Sequence, residues 1–157
     1  MADDHAFVAS CYLVIAGISK LNNVDALCFS AAAHGVTPII VGLPAVDDEH
    51  FASLEPKFQY IRFALLSEAV EYLRDRDISI VGIEILDVSV PFTGFQYPTA
   101  VALMPGNEGT GLSEPQKKVC SGFVYIPQVG AGTASLNVHV ATSLVLNFLA
   151  KRRFQRH

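Results

Sequence analysis

CYLVIAGI at residues 11–18, SKLNN at 19–23 and VDALCFSAAAHG at 24–35 together decide the fold. The first piece is a short continuous apolar run with β-branched members, the mark of a buried strand. The second punctuates the chain, with Asn22 and Asn23 placed to cap a helix. The third supplies good helix formers and stops at Gly35, where a left-handed helix end is expected. The same unit recurs downstream. VTPIIVG (36–42) reads as a second strand, DDEHFASLE (47–55) as a short acidic-started helix and FQYIRF (58–63) as a third strand. SEAVEYLRDRD (67–77) reads as a helix capped at Ser67, and ISIVGIEIL (78–86) as a further strand. Apolar runs alternating with amphipathic helices predict an α/β domain, a mostly parallel sheet with helices on both faces.

The second half is less regular. DVSVPFTGFQYP (87–98) is a long link bearing Pro and Gly, and a loop of that length is usually functional. TAVALM (99–104) and GFVYIPQ (122–128) read as strands, with at most a short helix between them. A terminal helix is expected from near Ser135, with Leu136, Val140, Leu144 and Phe148 lining one packed face.

Composition bounds the class. The 157 residues are 51% apolar and 17% charged, which excludes disorder as the main state and fits one domain. That domain is expected over 11–150, after a polar, frayed 1–10 and before a basic tail at 151–157. The longest apolar stretches, Tyr12 to Ile18 and Leu144 to Ala150, fall far short of a membrane span, and no charged n-region precedes the first. Cys11, Cys28 and Cys120 are odd in number, widely spaced and in no CxxC pair. They suggest neither a disulfide framework nor a zinc site, so the expectation is a soluble, cytoplasmic protein without a metal or a membrane partner.

The net charge of −4 hides an asymmetry. KRRFQRH at 151–157 holds four of the eleven Lys and Arg, leaving residues 1–150 with seven basic against fifteen acidic side chains, or −8. Lys151, Arg152 and Arg153 therefore have two readings: a footprint for nucleic-acid phosphate, or a basic last turn that complements a helix dipole.

Three stretches are too specific to be generic core: NNVDALCFSAAAHGV (22–36), ALMPGNEGTGLSE (102–114) and IPQVGAGTASLNVHVA (126–141). The glycines of 105–111 let backbone approach a ligand closely, with Asn107 and Glu108 beside it. The G-x-G of VGAGTAS lacks a downstream acidic partner, so a dinucleotide fingerprint is not indicated. Together the three stretches resemble the motifs of the SpoU (TrmH-like) family of RNA ribose 2′-O-methyltransferases, in the SPOUT superfamily. The resemblance runs from Tyr12 to Ala150. LCFSAAAHG, GIE and SLNVHV look most like the C-terminal catalytic domain of the large eukaryotic tRNA guanosine 2′-O-methyltransferases.

The resemblance implies a C-terminal deep trefoil knot, a homodimer formed through the first and last helices, and S-adenosyl-L-methionine as cofactor. The cofactor residues implied are Leu103, Gly106, Ile126, Gln128 and Leu136, with Glu84 and its neighbour Ile83 as weaker matches. Asn23, Glu108, Ser135 and Asn137 match the family's catalytic set, and Lys20 joins Lys151, Arg152 and Arg153 as contacts to tRNA or rRNA. Two positions depart from the pattern. Phe29 stands where the family places an arginine that engages phosphate and takes the proton, and Asp25 stands where it places glycine. Lys20, His34 and His139 are the nearby groups that could replace that base. The competing reading is a non-catalytic knotted RNA- or partner-binding domain that retains cofactor affinity.

Overall fold

The computed structural model describes residues 10–130 and 135–154. The apolar run after Ser10 forms β1 (Ser10–Ala16), and period-two alternation splits it between two cores. Cys11, Leu13 and Ile15 enter one, while Val14 and Ala16 enter the other. α1 (Leu21–Ala33) follows, then β2 (Thr37–Val41), α2 (Asp48–Ser53), β3 (Ile61–Phe63), α3 (Leu66–Arg74) and β4 (Ser79–Ile83). β5 (Val90–Pro91) is a two-residue edge strand inside the long link. After it come β6 (Ala100–Pro105), α4 (Glu114–Val119), β7 (Gly122–Tyr125) and α5 (Val138–Phe154).

All pairings are parallel, in the order β3-β2-β1-β6-β4-β7-β5. β1 is an interior strand, with Leu13 beside Pro38 of β2 on one side and Leu103 of β6 on the other. Leu27, Cys28 and Ala31 of α1 and Val145, Leu146 and Leu149 of α5 close the core on one face. Ala69 and Leu73 of α3, with Leu112 before α4, close the other. The expected α/β architecture is therefore the observed one.

Local details differ from expectation. Asn22 and Asn23 do not cap α1: its N-cap is Lys20, whose side chain makes no capping bond. Ser67 lies within α3, whose N-cap is Leu65, because Glu68 reaches back to the Leu65 amide at 3.0 Å and starts the helix earlier. α5 begins at Val138, because Asn137 Oδ1 accepts the amides of His139 (2.8 Å) and Val140 (3.3 Å) as an N-cap would. The packed face of α5 is not the Leu136–Val140–Leu144 line. Thr142, Val145, Leu146 and Leu149 are buried, whereas Val140 and Leu144 are 46% and 43% exposed. Gly35 does end α1 with a positive φ of 68°. Expectations for residues 1–9, 131–134 and 155–157 lie outside the described residues. Among those described, no helix is long and apolar enough to cross a membrane.

Candidate active site

In a parallel sheet adjacent strands end on the same edge, so β6, β4 and β7 deliver residues 105–111, 83–85 and 125–128 to one place. A cavity of about 160 Å³ opens there, closed by Ser135, Leu136 and the first turns of α5. A crevice at the carboxyl ends of parallel strands is where α/β sheets bind ligands. The glycines of the loop after β6 are set by a carboxylate. A Cβ on Gly106 would lie 2.5 Å from Glu84 Oε2, and one on Gly111, at φ +72°, would also collide with that carboxylate. Glu84 in turn accepts the amides of Leu112 (2.9 Å) and Ile85 (3.2 Å), so it braces the loop and spends its oxygens doing so. Asn107 closes the turn from within, accepting from Gly109 and Thr110 and donating to Gly17 O at 2.7 Å.

Glu108 reaches from this loop to the start of α1. Its carboxylate accepts the amides of Ser19 (3.1 Å) and Lys20 (2.9 Å), the Ser19 hydroxyl (3.4 Å) and Asn23 Nδ2 (3.1 Å). The charge sits at the positive end of a helix whose own first turn carries no acid. Desolvation would raise its pKa, but hydrogen bonds from its own amide, Ser19, Asn23 and Lys20 outweigh this and hold it at about 2. Asn23 Oδ1 accepts from Asn137 Nδ2 at 3.3 Å. Glu108, Asn23 and Asn137 therefore form one hydrogen-bonded chain joining the three sequence stretches.

Gly106, Ile126, Gln128, Leu136, Ile83 and Glu84 line the cavity, as do Glu108 and Ser135. Leu103 does not. It is fully buried in mid-strand, facing α1 and α5, two residues short of the strand end. Lys20 is exposed beside Glu108. The basic cluster is elsewhere: Lys151 lies thirteen residues along α5 from Val138, about 20 Å by helical rise. Arg153 donates to Gly35 O at 2.9 Å, and the Arg152 guanidinium sits 4.3 Å from the Phe148 ring centroid. Of the three only Lys151 is exposed, which favours the helix-end reading for the two arginines.

His34 is also remote from the cavity. It C-caps α1, donates Nδ1 to Ser30 O at 2.7 Å and faces Asn147 with Nε2. His139 is half-buried in the first turn of α5. Phe29 packs edge-on against Phe58, with centroids 5.9 Å apart. Asp25 pairs with His50 at 2.9 Å. Both departures in the first motif thus face the segment around α2, a relation with no signal in local sequence. Burial pushes the Cys11, Cys28 and Cys120 thiols up to about 12, so none is a nucleophile at neutral pH. Among the described residues no cluster of three His, Cys, Asp or Glu is placed to hold a metal. Sequence reasoning missed Thr142, a fully buried residue lining the cavity, because a threonine inside an apolar helix reads as core.

The model of the SpoU rRNA Methylase family matches residues 10–147, and the chain belongs to that family. It is 29% identical to the 23S rRNA (guanosine-2′-O-)-methyltransferase RlmB of Blochmanniella floridana, over 91% of this chain and 58% of that protein. It is 26% identical to the tRNA (guanosine(18)-2′-O)-methyltransferase of Escherichia coli, over 87% of this chain and 61% of that one. The AdoMet-bound rRNA methyltransferase of Sinorhizobium meliloti shares the fold with a TM-score of 0.78 at 24% identity, covering 97% of this chain and 59% of that one. The chain thus spans about three fifths of the length of these relatives.

Proposed function

We propose that this chain is an S-adenosyl-L-methionine-dependent RNA ribose 2′-O-methyltransferase acting on tRNA or rRNA. The observation that carries the reading is the hydrogen-bonded chain that ties Asn23 and Asn137 to Glu108, a residue lining the cavity. The cavity's residues fit the cofactor. The glycine loop and the apolar Ile83, Ile126 and Leu136 line it, and the buried Thr142 hydroxyl has no hydrogen-bond partner among the described residues. When bound, the cofactor supplies an electrophilic sulfonium methyl.

The residues of the chain must then bind ribose in line, exclude water and remove the 2′-hydroxyl proton. Glu108 is a weak candidate for the base: the hydrogen bonds that lower its pKa to about 2 reduce its affinity for a proton and occupy its oxygens. It positions Asn23 and the start of α1. Asn137 fixes the entry of α5 with its oxygen and holds Asn23 with its amide. Ser135, on the cavity wall, would orient the ribose, and the exposed Lys20 would meet a phosphate. With His34 tied to α1, Lys20 and His139 remain as candidates for proton removal.

The exposed Val140 and Leu144 on α5, with Leu21 at the start of α1, support a homodimer through these helices. The trefoil knot belongs to the same proposal and is supported by family membership. Labelled methyl transfer to bulk tRNA and rRNA, with Asn137→Ala as the control, tests the activity.

A second reading has its own observation. Phe29 and Asp25 are both engaged with the α2 region, so the family's phosphate-binding position is filled by packing. A domain that binds cofactor and RNA without transferring methyl would look the same here. It predicts bound cofactor and no labelled RNA.

A further inference from the structure

The buried polar side chains among the described residues are Asn23, Gln116 and Thr142. Two have their partners. Asn23 bonds Glu108 and Asn137, while Gln116 donates to Ala16 O at 3.0 Å and accepts from the Ser113 amide at 2.8 Å. Thr142 differs: it is 0% exposed and its Oγ1 has no hydrogen-bond partner among the described residues.

A hydroxyl removed from water without a replacement bond carries its full desolvation cost. Helices offer threonine a remedy, a bond to the carbonyl four residues back, here that of Val138. That bond is not made. Valine would fill the same volume without the penalty, so the hydroxyl is left to a partner that the described residues do not supply. Thr142 lines the cavity together with Ile126, Leu136, Val138 and Ala141, which give this side an apolar character. The carboxylate and amide oxygens across the cavity, on Glu84, Asn107 and Glu108, are spent on bonds within the chain. A flat apolar ring with a polar edge fits this setting. A hydroxyl that both donates and accepts matches the neighbouring amino group and ring nitrogen of adenine.

We propose that Thr142 Oγ1 is the side-chain hydrogen-bond partner of the adenine edge of the bound cofactor. The assignment rests on the cofactor reading above and goes beyond it by naming a residue that selects the base.

Titration calorimetry on the full chain tests it with two ligands: S-adenosylhomocysteine and its purine-riboside analogue, in which the amino group is replaced by hydrogen. The wild type is expected to prefer the adenosine ligand. Thr142→Val should weaken that ligand roughly 5- to 30-fold and reduce the preference to within about twofold, as expected when one partner of a coupled pair is removed. Thr142→Ser keeps the hydroxyl and should retain both affinity and preference, even if the valine variant proves unstable. Equal affinity in Thr142→Val and wild type, an unchanged preference, or a serine variant that has lost its preference would each overturn the assignment. A wild-type chain that binds neither ligand defeats the cofactor reading itself, and this assignment with it.

Discussion

Glu108 Oε2 accepts the backbone amide of Lys20 at 2.9 Å, so the helix that carries the first motif is capped by a carboxylate from the second, 88 residues along the chain. The same oxygen holds Asn23 Nδ2. One side chain therefore fixes the start of α1, the glycine loop and the orientation of a site asparagine. Its depressed pKa follows from those hydrogen bonds, which brace the loop against the helix.

Glu108→Ala is expected to lower stability by about 1–2 kcal/mol, the usual scale for loss of a helix cap. The pH dependence has a definite sign. A carboxyl that falls from 4.5 to about 2 on folding contributes stability above pH 4.5 and loses it as pH drops toward 2. Denaturant midpoints for the wild type should fall across that window. Those for Glu108→Gln should fall less, and identical slopes would remove the brace.

Gly111→Ala adds a Cβ at φ +72° against the Glu84 carboxylate. The expected cost is about 1–3 kcal/mol, from backbone strain and crowding together. Affinity for S-adenosylhomocysteine should drop more than tenfold, because the loop must move. Calorimetry beside a thermal melt separates the two effects.

Phe29→Arg removes a half-buried ring from its contact with Phe58, and Asp25→Gly removes the pairing with His50. Stability should fall by about 1–3 kcal/mol in the double variant. Restoring the family's arginine should still raise methyl transfer at least roughly tenfold when assayed below the lowered melting point. A loss of stability with no gain in transfer would favour the non-catalytic domain.

Arg153→Ala should cost about 1 kcal/mol by freeing the Gly35 carbonyl, whereas Lys151→Ala should leave stability within about 0.5 kcal/mol. Equal losses of RNA affinity in the two variants, measured by filter binding, would return the basic cluster to the role of a phosphate footprint.

The strands were legible because parallel strands buried on both faces read as continuous apolar runs, as 11–16 and 100–105 do. The motif residues were legible by type. Their roles were not, because Glu108 acts on residues 85 to 89 positions away and Asp25 on His50, pairings that no local window contains. Leu103 sits beside a motif but two residues short of its strand's end, inside the core. On α5 an i, i+4 line of Val and Leu looked like the buried face. The helix instead buries Val145, Leu146 and Leu149 under α1, leaving Val140 and Leu144 outside.

The central claim is transfer to the ribose, and its most direct test is nucleoside analysis of bulk tRNA and rRNA after incubation with methyl-labelled S-adenosyl-L-methionine. Label is expected in 2′-O-methylnucleosides with wild-type protein and absent with Asn137→Ala. Label found in the bases, or no labelled nucleoside from a wild-type chain shown by calorimetry to bind the cofactor, would contradict it.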